Sequence, residues 1–158
     1  MKTAMAVLLS ACVLGVAPLS VKADPTETEY EVALKDEDYA AGQKAIAGKQ
    51  WDEAIRRLRR AEVRYPEHAD LQNYLGYAYR NLKQFDPAFK HYKRAIELDP
   101  RHRGAHEYIG EAYLMTGDLA SAEKHLAALR GICLLPCEEL TDLEKAVAEY
   151  RRKPEAKP

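Results

Sequence analysis

One interval governs the chain: 34 residues. Gly42, Gly76 and Gly110 are spaced by it, and Ala54, Ala88 and Ala122 lie twelve positions beyond each. Ala41, Leu75 and Ile109 precede the glycines, and Ala45, Tyr79 and Tyr113 follow three later. Leu58, Tyr92 and Leu126 form a further column, as do Ala61, Ala95 and Leu129, and Trp51, Phe85 and Leu119. Pro66 and Pro100 close the first two units. A register kept without a gap over three copies means one supersecondary unit repeated, each copy burying its apolar face on the next.

The unit itself reads as a helical hairpin. Tyr74, Leu75, Ala78, Tyr79 and Leu82 recur at three- and four-residue steps, and so do Ala88, Phe89, Tyr92, Ala95 and Ile96. Pro87 between them suits a first helical turn. Gly76 and Ala88 are small where the paired helices must approach. The spacing predicts helices near 36–48, 52–65, 69–82, 86–98, 103–116 and 120–131. A seventh, over 138–152, follows from Leu140, Leu143, Val147 and Tyr150, and Thr141-Asp142-Leu143-Glu144 in its first part resembles a capping box. Glu144 stands where the glycine column would continue, as expected of a solvating end helix.

These columns resemble the tetratricopeptide repeat, whose pattern is W-x2-L-G-x2-Y, then A-x3-F, then P. The middle unit carries it most fully, in Leu75-Gly76, Tyr79, Ala88, Tyr92, Ala95 and Pro100. The third departs with Leu134 in the proline column, and the first with Ala45 in the tyrosine column. The resemblance implies an all-α, right-handed α-solenoid of three hairpins, 35–68, 69–102 and 103–136, with a cap helix over 137–152. Residues 24–34 then form a loose acidic segment and 153–158 a disordered tail.

Residues 1–23 are of another kind. A basic start, an apolar run from Ala4 to Leu19 and Val21-Lys22-Ala23 before Asp24 make a secretory signal cleaved between Ala23 and Asp24. Two alternatives stand beside it: an uncleaved anchor, and acylation at Cys12 in the lipobox-like Leu9-Ser10-Ala11-Cys12. Export as a soluble periplasmic or secreted protein is the expectation, with no stable membrane insertion after cleavage. The whole chain has a net charge of −1; removing the signal leaves 22 basic and 25 acidic side chains, so −3. That balance disfavours nucleic acid as a partner.

After cleavage only Cys133 and Cys137 remain, and an oxidising compartment favours a disulfide stapling the cap to the last hairpin. A thiol-redox or metal-handling role for the pair is the competing class, although neither the two-residue spacing nor a βαβ context of redox motifs is present. His102 and His106 are four apart and resemble a metal pair without a third ligand; His125 flanks the core column at Leu126. No catalytic signature and no cofactor motif appears, so the chain reads as non-catalytic. Arg56, Arg57, Arg59, Arg60 and Arg64, with Lys90, His91, Lys93 and Arg94, fall on the second helices. In a tetratricopeptide fold these helices face the convex side, where they form a solvated charged face or attract an anionic lipid or acidic partner.

The resemblance also implies a concave groove lined by the first helices. Its columns fall on Tyr39 and Gln43, then Asn73, Tyr77, Arg80 and Asn81, then Glu107, Tyr108, Glu111 and Leu114. Tyrosine offers a large ring and a hydroxyl at modest entropy cost, which suits peptide contact. Some family members clamp a C-terminal carboxylate here with cations; Glu107 and Glu111 argue instead for a neutral or basic protein segment. The reading is therefore an adaptor of the bacterial cell envelope that binds a protein segment, with self-association through an end or the convex face left open.

Overall fold

The computed structural model describes residues 33–152. Seven helices lie wholly within them: α1 (Glu37–Ala47), α2 (Trp51–Arg64), α3 (Ala69–Asn81), α4 (Phe85–Leu98), α5 (Arg103–Met115), α6 (Leu119–Ile132) and α7 (Glu138–Arg152). The bounds fall within about two residues of the helices expected from periodicity. Helices α1, α3 and α5 pack on α2, α4 and α6 respectively, and α1, α3, α5 and α7 also touch in series. The result is a solenoid whose first helices share one face.

Local chemistry explains where each helix starts and stops. Asp36, His68, His102 and Asp118 cap α1, α3, α5 and α6 by accepting a backbone N–H three residues on. His68 and His102 are again 34 apart; the ring Nδ1 is the acceptor in both, from Leu71 at 3.3 Å and Ala105 at 3.1 Å. The turn inside each hairpin has a left-handed residue at one recurrent place, Lys49 (φ 55°), Lys83 (φ 59°) and Gly117 (φ 87°). Behind each, the backbone N–H of Gln50, Gln84 and Asp118 reaches the carbonyl of Ala45, Tyr79 and Tyr113 at 2.8–3.0 Å, closing the helix end. Only the third turn uses the residue for which that conformation costs least.

The glycine column has the predicted reason. A Cβ on Gly42 would stand 2.6 Å from Leu58, and one on Gly76 2.6 Å from the Tyr92 ring, both across the hairpin. At Gly110 the obstacle is Leu143 of α7, at 2.7 Å, so the end helix closes on the third hairpin. Leu58, Leu75, Tyr92, Ile109, Leu129 and Leu143 are fully or almost fully buried. Leu143 and Val147 join Leu126 and Leu129 in one cluster, which ties α7 to the repeats.

Three expectations need correction. Thr141 does not open a capping box: α7 begins at Glu138, Thr141 hydroxyl and N–H both bond the Cys137 carbonyl, and Glu144 reaches Arg130 at 2.9 Å. Ala33 is helical and fully buried, so the segment 24–34 is not loose at its end. His91 is not on the surface; it is 4% exposed. The signal, its Ala23/Asp24 cleavage site, Cys12 and the 153–158 tail lie outside the described residues.

Candidate functional site

The exposed part of the shared first-helix face is centred on α3 and α5. Tyr77 and Tyr108 approach with ring centroids 4.8 Å apart, and Trp51 at the start of α2 meets Tyr77 edge-on at 5.8 Å. The Arg80 guanidinium lies over both tyrosines, 5.1 and 5.2 Å from their centroids, and pairs with the Glu111 carboxylate of α5. A cation held by a carboxylate and two ring faces is fixed in direction as well as charge. Arg80 is only 8% exposed, so it braces α3 on α5 and presents little free charge. Beyond it, an open pocket of about 420 Å³ is lined by Arg80, Asn81, Glu111, Leu114, Met115 and Tyr150, among others. Met115 is half-exposed there, so one wall is apolar.

The residues read as groove-lining from sequence divide. Tyr77, Tyr108, Glu111, Leu114 and Asn81 keep accessible surface on this face, and Gln43 on α1 is half-buried. Tyr39 must be withdrawn: it is 1% exposed, its ring 5.3 Å from His68 and 6.1 Å from Tyr74, and it fills the joint between α1 and α3. Asn73 and Glu107 are 6% and 7% exposed. Burial, and then the charges of Glu111, Asp142 and Glu139, push the Glu107 carboxyl up to about 8 against the pull of Arg80. At neutral pH Glu107 is mostly protonated. Burial, then Glu107, pushes the Tyr108 hydroxyl up to about 12, so it stays a hydrogen-bond donor.

Residues 69–102 match the family model for the tetratricopeptide repeat. The fold is a tetratricopeptide repeat fold. Among similar solved structures, the TPR2B domain of yeast Sti1 in a pHsp70 complex superposes with a TM-score of 0.67 at 21% identity, over 78% of this chain and 97% of that one. The first TPR of Spaghetti (RPAP3), bound to the HSP90 peptide SRMEEVD, gives 0.66 at 22% identity, over 77% and 95%. The Yersinia enterocolitica type III secretion chaperone SycD, with a peptide of the translocator YopD, gives 0.59 at 18%, over 83% and 92%. No curated protein matches the chain by sequence.

Within this tetratricopeptide fold the structure brings together residues the sequence reading kept apart. A polar pair crosses each hairpin at one repeated place. In the first it is Asp38 with Arg57 at 3.1 Å, in the second Gln72 with His91 at 2.7 Å, in the third His106 with His125 at 3.0 Å. Both members recur every 34 residues, which was the available signal; their differing side chains hid it. A carbonyl only accepts, so His106 Nε2, 3.2 Å from the Pro100 carbonyl, carries a proton, and its Nδ1 accepts from His125. His102 faces the other way, its Nε2 3.0 Å from Asp70, so His102 and His106 do not form a metal pair. Burial, and then His106, Lys124 and Lys93, hold His125 down at about 4; burial likewise lowers His91 and His106. Among the described residues no three His, Cys, Asp or Glu side chains converge to hold a metal ion.

The arginine run is not a free cationic face. Arg57 meets Glu53 at 2.9 Å, and Arg64 meets Asp36 at 2.8 Å and Asp38 at 3.0 Å. Arg59 pairs with Glu62 and Arg94 with Glu67. Cys133 and Cys137 are bonded at the α6–α7 corner with Cα atoms 6.1 Å apart, and Leu134 and Leu135 between them are exposed.

Proposed function

We propose that the protein is a non-catalytic adaptor that holds a neutral or basic segment of another protein on the face formed by α1, α3, α5 and α7. Tetratricopeptide folds mediate protein–protein interaction, and structurally similar domains are seen with peptides bound. The observation that carries the reading is the Tyr77–Arg80–Tyr108–Glu111 arrangement beside the open pocket. It supplies rigid aromatic surface at low entropy cost, the kind of anchor that dominates interfaces.

The acidic peptide SRMEEVD bound in one of those similar structures sets a contrast. A groove that takes such a tail needs free cations; here Arg80 is occupied by Glu111, Lys83 is a further cation at the pocket, and Glu139, Asp142 and Glu149 add negative charge on α7. An anionic tail would meet repulsion here, and a cationic or neutral segment would not. The apolar N-terminal run with its Ala23/Asp24 site supports export and a place in the bacterial envelope. Among the described residues no helix is long and apolar enough to cross a membrane.

The test is a doubly altered chain, Tyr77→Ala with Glu111→Ala, compared with the parent in crosslinked capture from the envelope. Loss of the captured protein from the altered chain alone supports the face; equal capture by both rules it out. A circular dichroism melt of each chain guards against simple unfolding.

A further inference from the structure

The first-helix face contains polar groups that the described residues leave unmatched. Asn73 Oδ1 and the Tyr92 hydroxyl are buried with no hydrogen-bond partner among the described residues. Glu107, 7% exposed, keeps its carboxyl at the edge of solvent and makes no hydrogen bond or ion pair with any described residue. Asn73 Nδ2 and the Tyr108 ring sit 3.4 and 3.8 Å from where a Cβ on Gly104 would stand, and Glu107 follows Gly104 by one turn of α5. An unmatched buried acceptor such as Asn73 Oδ1 costs stability, and beside the uncompensated Glu107 carboxyl it marks a place suited to a group that donates.

One turn further along α5 the chain shows what that donor resembles. Glu111 stands at i+4 from Glu107 and holds the Arg80 guanidinium, which also lies on the Tyr77 and Tyr108 rings. Glu107 has the same helix, the same neighbouring Tyr108 and no cation. The charged groups facing it are Glu111 on its own helix, Arg80 on α3, and Glu139 and Asp142 on α7. Arg80 is matched by Glu111, and Arg103 lies 3.6 Å from Glu139. Glu107 and Asp142 remain without a counterion among the described residues. An inorganic ion does not fit, because no three ligating side chains converge. An ammonium or guanidinium carries several N–H donors that can reach acceptors set further apart.

We infer that Glu107, with Asn73 and the Tyr108 ring, forms a subsite for one cationic side chain, lysine or arginine, of the bound protein segment. The inference rests on the reading of this face as a peptide-binding one and adds the chemistry of one residue in the ligand. Seating the cation moves one proton from the Glu107 carboxyl to solvent, leaving a carboxylate–cation pair. The ligand cation stays charged to about pH 10, so only Glu107 titrates in the working range. Affinity for a cationic segment then rises by about tenfold between pH 7 and pH 9, as the carboxyl no longer has to release a proton.

The probes are n-butylammonium and n-butylguanidinium, with n-butanol as the neutral match, added to the full chain carrying ¹³C-labelled glutamate. Carbon-detected titration follows the Glu107 carboxyl, and the Asn73 side-chain amide reports in parallel. The expected result is that either cation lowers the Glu107 midpoint by about one unit or more and shifts Asn73. Butanol and an equal ionic strength of KCl do neither. Glu107→Gln loses the cation-dependent shift at Asn73, whereas Glu97→Gln, on α4 away from this face, keeps it. An unmoved Glu107 midpoint, an equal effect of KCl, a full effect of MgCl₂ or ZnCl₂, or cation binding retained in Glu107→Gln overturns the subsite. Because these readouts need no partner, the subsite can fail while the double variant at Tyr77 and Glu111 still abolishes capture, and the two failures stay distinct.

Discussion

The corner between α1 and α2 and the face between α3 and α5 handle charge in opposite ways. At the corner, Asp36, Asp38 and Glu53 meet Arg56, Arg57 and Arg64, and the hydrogen bonds from Arg64 hold the Asp36 and Asp38 carboxyls below the usual carboxylate range. Charge there ties helices together and is exhausted by doing so. On the face, Asn73 Oδ1 and the Tyr92 hydroxyl are buried without hydrogen-bond partners among the described residues, and Glu107, 7% exposed, is pushed toward its neutral form. A strongly charged stretch of sequence is therefore the poor candidate for recognition in this molecule, and an isolated glutamate the better one.

The contrast predicts opposite signs for similar substitutions. The largest effect is expected at Glu107. Its pKa is higher folded than unfolded, so the protonated native state is favoured below about pH 4 and that advantage is lost as pH rises toward 8. Glu107→Gln should therefore raise the melting temperature at pH 8, with the gain shrinking toward pH 5. A variant less stable than the parent at pH 8 would show that Glu107 has a partner after all.

Tyr92→Phe removes a buried hydroxyl without altering the ring that faces Gly76. It should be neutral or stabilising by about 1 kcal/mol in urea unfolding. A loss of similar size would mean the hydroxyl is satisfied.

The third comparison is internal to the repeated polar pair. His125 has a depressed pKa, so its contribution is present above the unfolded value near 6.5 and lost as pH falls toward 4. Melting temperature should decline over that window, and His125→Gln should flatten the decline. An unchanged slope would place the acid sensitivity elsewhere, at His91 first.

The smallest effects belong to the corner. Asp38→Asn should lower the melting temperature slightly, and less so at 0.5 M NaCl, because exposed pairs are weak and screened. Arg56→Ala, which pairs only within its own helix, should be close to neutral. A larger loss from Arg56→Ala than from Asp38→Asn would reverse the account of what the corner does.

The repeat made the fold legible. Glycines 34 apart, and apolar residues at fixed offsets, leave few ways to stack helices, and Gly42 and Gly76 proved to be the close approaches that spacing implied. The site was less legible because groove columns are shared with joints between helices. Tyr39 occupies the same column as Asn73 and Glu107, yet α1 ends the described stack beside His68 and Tyr74, so its ring is enclosed. The polar pairs were hidden for a different reason: Asp38–Arg57, Gln72–His91 and His106–His125 repeat a position and not a residue type. The arginine run misled in the opposite direction, since its partners Asp36 and Asp38 precede it by a whole helix.

The central claim is that recognition occurs on the first-helix face and not on the second helices. Photocrosslinking tests it directly, with benzoylphenylalanine replacing Tyr77 in one chain and the exposed Val63 of α2 in another, both expressed full-length in cells. The account predicts a discrete adduct with another protein from position 77 and none from position 63. Adducts from position 63 with none from position 77 would contradict it.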